Sequence, residues 1–417
     1  MAAREAEVAI VGAGVVGLTL ALRLARAGRE VVLIDPNPPG SGASFGNAGT
    51  IADYAVMPVG TPDVLKSLPS LLFDRNSPLA IRKAALPTLA PWLLRFAAQS
   101  LPGPARRNSA VLARLLSDAG ARWRDLAAEV GAAEGLGQTG NLYLYDTPRD
   151  VEAAKADLAH RRTLGVTVEI LTADELGQLE PNLPRRFAGA AFFPNTWFLS
   201  DPGRTVTAIA TAAQAAGARI VTAEARALRR EGGGVTIETQ GPEGPRTLGA
   251  ARAVIAAGAR SRALARSAGD RIPLDTERGY HVEWDMAEAP VARPSCPVSR
   301  GFYFCPMSGR LRAAGTVELG GLNAPPSPHR IARIIEGSRA VFPDLPAPSR
   351  TWLGFRPSMP DSLPVIGPSK AGPEILLAFG HGHIGLTLAP RTAALIEGHL
   401  AGTPPDPALA GVLPARF

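Results

Sequence analysis

The chain is predicted to adopt an α/β fold whose first unit is doubly wound, followed by an α+β second part. Three observations predict this. Glu7–Val11 reads as a short buried strand, and Gly12-Ala13-Gly14-Val15-Val16-Gly17 follows it directly. A helical run, Leu18–Ala27, then leads to a second apolar strand, Val31–Ile34, which ends in Asp35. Strand-like runs return only far downstream, at Arg219–Val221, Arg226–Arg230, Val235–Thr239 and Ala253–Ala257. That order points to a nucleotide-binding unit assembled from separated segments.

Each part of the opening unit has a physical job. Gly12 permits the tight strand-to-helix turn, Gly14 lets the backbone approach a pyrophosphate, and Gly17 lets helix and strand pack closely. The N–H groups of Val15 and Val16 open the helix and carry its positive end toward a phosphate. Asp35 lies 18 residues past Gly17, near the roughly 20 expected for a carboxylate that holds ribose hydroxyls. With strand, helix, second strand and acid all in place, the motif predicts a Rossmann-type unit and a nucleotide cofactor.

Pro36–Thr50 is a glycine-rich loop, and residues 58–110 are apolar and punctuated by prolines. The stretch Leu79–Leu101 is read as helices packed on the second part, with a membrane-surface contact or a lid as the alternatives. Val111–Val130 is predicted as one amphipathic helix, Gly140–Tyr145 as a strand, and Asp150–Leu164 and Thr172–Leu179 as helices. Gly189–Phe193 reads as a strand before Asp201-Pro202, and Thr205–Ala216 as a helix of small residues. Gly232-Gly233-Gly234 marks a turn.

The 417 residues exceed what one small core needs, so two domains are expected. Hydrophobic residues make up 46% and charged residues 19%, the balance of a globular enzyme rather than a disordered chain. The formal net charge is +7, but the arginines are scattered and no basic block is interleaved with aromatics. Nucleic-acid binding is not expected. Cys296 and Cys305 form neither a disulfide framework nor a metal site, which predicts a reducing compartment and no metal. The apolar run Val8–Leu22 is the nucleotide unit and not an export signal. No run reaches the roughly 18 apolar residues of a membrane span.

Two features favour a flavin over a nicotinamide. A polar loop, Ser41–Gly49, follows Asp35, and its Ser44, Asn47, Ala48 and Gly49 can line a longer cofactor. Near the other terminus, the strand Leu376–Phe379 runs into Gly380-His381-Gly382-His383-Ile384-Gly385 and a helix predicted over Thr387–Leu400, with Pro390 in its first turn. The positive end of that helix would favour the negative charge of a reduced flavin.

At this point the chain resembles the D-amino acid oxidase superfamily of FAD-dependent oxidoreductases, in its D-amino acid dehydrogenase branch. The resemblance rests on the Gly12–Asp35 fingerprint, the Gly42–Gly49 loop, Val254–Ser261, Glu277–His281, Gly309–Thr316, Gly354–Pro357, Pro360–Gly367 and Gly380–Pro390. The wording of several of these is similar to the glyphosate-oxidoreductase type. The resemblance implies an FAD-binding domain from residues 1–58, 200–268 and 349–417, and a substrate domain from 59–199 and 269–348 built on a large antiparallel sheet. It implies noncovalent FAD, because Ser358 and Asp361 stand where some relatives carry a tethering cysteine. Pro36, Ala225, Ala257 and Gly258 fall where relatives meet the adenosine half, and Gly380, Gly382, Ile384, Gly385 and Thr387 where they meet the flavin end.

Arg356 sits in the Gly-aromatic-Arg-Pro motif, where relatives anchor the substrate carboxylate. Tyr303 stands where a tyrosine bonds the same carboxylate, and His383 where some relatives carry an arginine. Arg278 and Tyr280 are expected behind the site, and His281 and His381 as histidines that satisfy backbone groups. The implied reaction is hydride transfer from Cα to flavin N5, giving an imine and then a keto acid and ammonia, with D-amino acids as the first substrate class. Secondary amines (an N-substituted glycine, hydroxyproline, an opine or a glyphosate-like compound) are one alternative, and a non-catalytic FAD-binding subunit is another. Relatives that react fast with oxygen often hold a lysine after the Gly-Thr pair. Here Gly315-Thr316 is followed by Val317 and Glu318, which favours a quinone or other carrier over oxygen as acceptor. The expected location is the cytoplasm, with peripheral contact at the inner face of the membrane as an option, and the oligomeric state is unknown.

Overall fold

The structure, a computed structural model, describes residues 4–66 and 79–417. Residues 67–78 of the proline-punctuated stretch therefore lie outside the described residues. Among the described residues, one sheet has eight strands and a second has nine.

The parallel core of the first sheet runs Arg219–Thr222, Val31–Asp35, Arg4–Val11, Gly244–Ile255, Gly372–Phe379. Val31–Ile34 and the last four residues of Arg4–Val11 are buried throughout, as strands covered by helices on both faces must be. The helix Val15–Arg26 packs against the helices Pro202–Ala215 and Gly385–Leu400. Asp201 caps the former, its side chain accepting from the Arg204 N–H. Gly244–Ile255 is much longer than predicted, because its first half leaves the parallel core. It pairs there antiparallel with Gly234–Gly241, which in turn pairs with Glu224–Glu231. Chain reversals at Val11, Asp35, Ile255 and Phe379 all fall at the carboxyl ends of the parallel strands, where open α/β sheets bind ligands.

The second sheet runs Arg350–Ser358, Asp275–Asp285, Arg310–Leu319, Phe302–Met307, Ser295–Pro297, Asn141–Tyr145, Gly189–Phe193, Glu169–Thr172, with Leu79–Ile81 added beside Arg310–Leu319. Phe302 and Phe304 point into its core, and by the twofold period of a strand Tyr303 and Cys305 face the other side. A three-stranded ribbon of Thr50–Ile51, Trp197–Leu199 and Leu136–Gly137 ties the two halves together.

The expected domain bounds need two corrections. Arg350–Ser358 was placed in the cofactor half, but it pairs along nine residues with Asp275–Asp285 in the large antiparallel sheet. The helices Pro102–Leu116 and Ala119–Glu129 were placed in the substrate half, yet Leu112, Leu115, Trp123 and Leu126 pack with Leu18 and Leu388 of the cofactor half. These two helices also replace the single helix predicted over Val111–Val130. The chain breaks at Ser117 and Asp118, and the Asp118 carboxylate there binds Arg122 and Arg391.

The helix over Gly385–Leu400 starts two residues early, so Pro390 lies inside it rather than in its first turn. A proline there cannot donate to the carbonyl four residues back. That carbonyl, Leu386 O, is taken instead by the indole N–H of the buried Trp123, at 2.9 Å. The helix Leu86–Gln99 buries Leu89, Trp92 and Phe96 against Leu319 of the large sheet, while Leu94 is 73% exposed. Among the described residues no helix is long and apolar enough to cross a membrane.

Candidate active site

One cavity of about 1930 Å³ runs from the opening fingerprint to the large sheet. Pockets for a single small ligand are about 300–1,000 Å³, so this one has room for a dinucleotide and a substrate together.

The fingerprint forms one end of it. Gly12 has φ +111°, and a Cβ there would lie 2.4 Å from the Ala256 carbonyl oxygen. At Gly17 a Cβ would lie 2.0 Å from Gly12 O. Both glycines are demanded by the chain's own packing, and Gly17 does not line the cavity. Gly14 differs, because its Cβ would meet no protein atom closer than Ser44 Oγ at 3.5 Å and would project where the cavity lies. That glycine is explained by a close-lying ligand and not by the fold. The first turn of helix Val15–Arg26 carries no acidic residue and no side-chain cap. Its positive end is open to a phosphate beside Val15 and Val16, and the Val15 N–H meets Ser44 Oγ at 3.0 Å.

Asp35 lies at the adenosine end with Pro36, Ala225, Ala257 and Gly258, all lining the cavity. Its two carboxylate oxygens accept from Ala13 N and Asn37 N, each at 2.9 Å, which fixes the group and leaves lone pairs for hydroxyl donors. Asp35→Ala is expected to leave the protein folded but to lower the flavin retained through gel filtration. A normal ratio of flavin to protein absorbance would remove Asp35 from that role.

Ser44, Asn47 and Ala48 line the middle of the cavity, and Gly49 lies just outside it. Their loop is clamped from below. The buried Arg312 donates to Glu283 at 2.7 Å and also to the Asn47 carbonyl, while His281 Nδ1 meets Gly46 O at 3.2 Å. Burial and Arg312 push the His281 pKa down to about 3, so the ring is neutral and its Nδ1–H donates to that carbonyl. His281 stacks on Trp352 at 4.9 Å, and a Cβ at Gly46 would strike the Trp352 ring. At the far terminus Gly382, His383 and Gly385 line the cavity, whereas Gly380, Ile384 and Thr387 do not. Thr387 Oγ1 instead accepts from the Ala52 N–H at 3.0 Å, tying the two termini together. His381 is buried, with Nε2 at 2.9 Å from Thr392 Oγ1, a side-chain partner rather than a backbone one. The open helix end, the glycine cradle and the fixed carboxylate together suit FAD.

Beyond the loop, Arg356, Tyr303 and His383 line the same end of the cavity. The Arg356 guanidinium lies flat over the backbone of Gly279, where a Cβ would come within 2.8 Å of it. Among the described residues it has no hydrogen-bond or ion-pair partner. Burial depresses its pKa, and Glu277 across the strand pair opposes that. Arg356 is partly exposed where it lines the cavity, so its donors face that space and are free for a ligand that supplies an acceptor. Tyr303 OH lies 3.2 Å from Tyr54 OH, and burial holds both phenols well above their ordinary pKa. His383 is exposed at the cavity wall. Desolvation by the surrounding chain and the nearby Arg356 bring its pKa down to about 4, so it is a neutral acceptor at pH 7.

Arg278 and Tyr280 do not reach into the site as charges. Both bind the buried Glu318, at 2.9 and 2.6 Å, and Arg278 also holds the carbonyls of Gly321, Ala324 and Pro325. They brace the loop that forms one rim of the cavity. Sequence reasoning missed Tyr54, which lines the cavity, and the buried carboxyl of Glu277. Among the described residues no cluster suits a metal ion.

Comparison with known proteins agrees with this geometry. The family described as FAD dependent oxidoreductase matches residues 7–397. The chain is 38% identical to a D-amino-acid oxidase of Bradyrhizobium diazoefficiens over 98% of each chain. It is 31% identical to a D-amino acid dehydrogenase of Dechloromonas aromatica, covering 96% of this chain and 98% of that one. The fold matches glycine oxidase from Geobacillus kaustophilus with a TM-score of 0.76, at 24% identity over 99% of each chain.

Proposed function

The chain belongs to the FAD-dependent oxidoreductases, and from that premise we propose that it oxidises the Cα–N bond of amino acids, D-amino acids first. The observation that carries this reading is the unpartnered Arg356 guanidinium facing the cavity. The two oxygens of an amino acid's carboxylate match its planar fork.

Arg356 binds that carboxylate, Tyr303 adds a hydroxyl to it, and the substrate's Cα is thereby turned toward the loop Ser44–Ala48. FAD, when bound, supplies the acceptor for the hydride that leaves Cα. The chain holds this geometry and sheds water, which are large contributors to rate in such reactions. The resulting imine hydrolyses in water to a keto acid and ammonia. Neither cysteine lines the cavity, and both are buried, so neither would tether FAD. Val317 and Glu318 follow Gly315-Thr316, and Glu318 is neutralised by Arg278 and Arg82. With no lysine there, a quinone or other carrier is the favoured acceptor over oxygen.

The test is anaerobic mixing of the purified yellow protein with a panel of D- and L-amino acids and N-substituted glycines, which present the same carboxylate. Loss of the visible flavin band with D-amino acids is expected. A band untouched by every member of the panel would sink the proposal, and bleaching by N-substituted glycines alone would move it to secondary amines. Dye reduction should then outpace oxygen consumption.

A further inference from the structure

An amino acid enters such a site as a zwitterion, and its ammonium must lose a proton before the nitrogen lone pair can assist loss of hydride from Cα. Arg356, a cation, cannot take that proton, and Tyr303 is a neutral phenol. Behind the site lies a second, small cavity of about 20 Å³, enough for one water. It is lined by Glu277, Ser358, Ser362, His381 and His383. His381, Gly382 and His383 line both this cavity and the large one, so two imidazoles stand between them.

We propose that Glu277, through a water in this small cavity and the ring of His383, takes the proton that the substrate's ammonium must shed. The inference rests on the amino-acid reading above. In the step, an N–H bond of the substrate breaks as one ring nitrogen of His383 gains the proton. The other ring nitrogen releases a proton to the water, and the water passes one to the Glu277 carboxylate. One proton moves from substrate to carboxyl, and no electrons are exchanged.

Several observations converge on Glu277. It is 6% exposed and lies directly across the strand pair from Arg356. Burial raises its pKa, while Arg356 and the Ser358 hydroxyl restrain the rise. A carboxylate poised this way is a better proton acceptor than one in water. Ser358, which lines the same small cavity, is buried with its hydroxyl beside Glu277. The groups facing Glu277 are Arg356 from Arg350–Ser358 and the two histidines of the Gly380–Gly385 turn. His381 is occupied by Thr392 and held neutral, with its pKa brought down to about 4, which leaves His383 as the connection.

The test compares wild type, Glu277→Gln and Ser358→Val as FAD-loaded proteins. The first reading is kcat/KM for a D-amino acid against pH. The second is the affinity for propionate, which has the carboxylate but no amine, followed by perturbation of the flavin spectrum. Glu277→Gln is expected to lower kcat/KM at pH 7 by about 10², and the loss should shrink as the pH approaches the amine's own pKa. Propionate affinity should hold within about threefold. Ser358→Val, which fills the water space, should shift the profile the same way by a smaller amount, and it decides the matter alone if Glu277→Gln does not fold. An unchanged pH profile, or parallel loss of turnover and propionate affinity, overturns the proposal. A wild type that oxidises no amino acid would fail the earlier reading instead, before any variant is made.

Discussion

Arg356→Ala is expected to cut kcat/KM for the best amino acid by between about 30-fold and several thousand-fold. That range corresponds to about 2–5 kcal/mol, the usual cost of truncating one side of a desolvated, hydrogen-bonded charge pair. The protein should remain yellow, because Arg356 sits at the substrate end of the cavity and the fingerprint at the other. Arg356→Lys keeps the charge but loses the two-pronged fork, so it should recover only part of the loss. Steady-state kinetics with flavin content measured on the same preparations checks this. A variant that turns over normally would remove Arg356 from the site, and one that loses its flavin would move it to the cofactor.

The second large effect is expected at Gly12. Gly12→Ala forces a side chain onto a backbone at φ +111°, with its Cβ 2.4 Å from Ala256 O. Both the strain and the clash act where two parallel strands deliver the chain to the cofactor. Removing them means parting Gly12 from Ala256, and both line the large cavity. Soluble variant protein should be colourless and stay so after incubation with FAD, and its melting temperature should fall well below that of wild type. Gly14→Ala provides the contrast. No protein atom obstructs its Cβ, so the apoprotein should melt normally while FAD binding weakens. Equal thermal damage in both variants would contradict the separate jobs given to these glycines.

The legible parts of the site were those where chain geometry permits few residues. A positive φ at Gly12 and a helix that must close onto a strand at Gly17 leave a mark on sequence. Arg356 was legible through a motif and not through periodicity. The large sheet left no such trace. Asp275–Asp285 is buried over nine consecutive residues, so it shows no alternation, and nothing in the local sequence marks its Glu277 and Glu283 as buried. Their charges are tolerated only because Glu318 and Arg312, distant in sequence, complete them. Tyr54 was hidden for a related reason. Its partners are Tyr303, 249 residues away, and the ring of Phe193 stacked on it at 4.4 Å. Pro390 misled because the acceptor it strands is rescued by Trp123, from a helix that nothing in the local sequence connects to it.

The large cavity is walled by Gly12–Val16, Asp35, Ala256–Gly258, Gly382, His383 and Gly385, stretches far apart in sequence. During synthesis the opening strand and helix emerge first, with their apolar faces awaiting partners that are still untranslated. A chain synthesised only as far as Gly258 would lack the walls that Gly382, His383 and Gly385 supply, so flavin capture is expected to wait for that later segment.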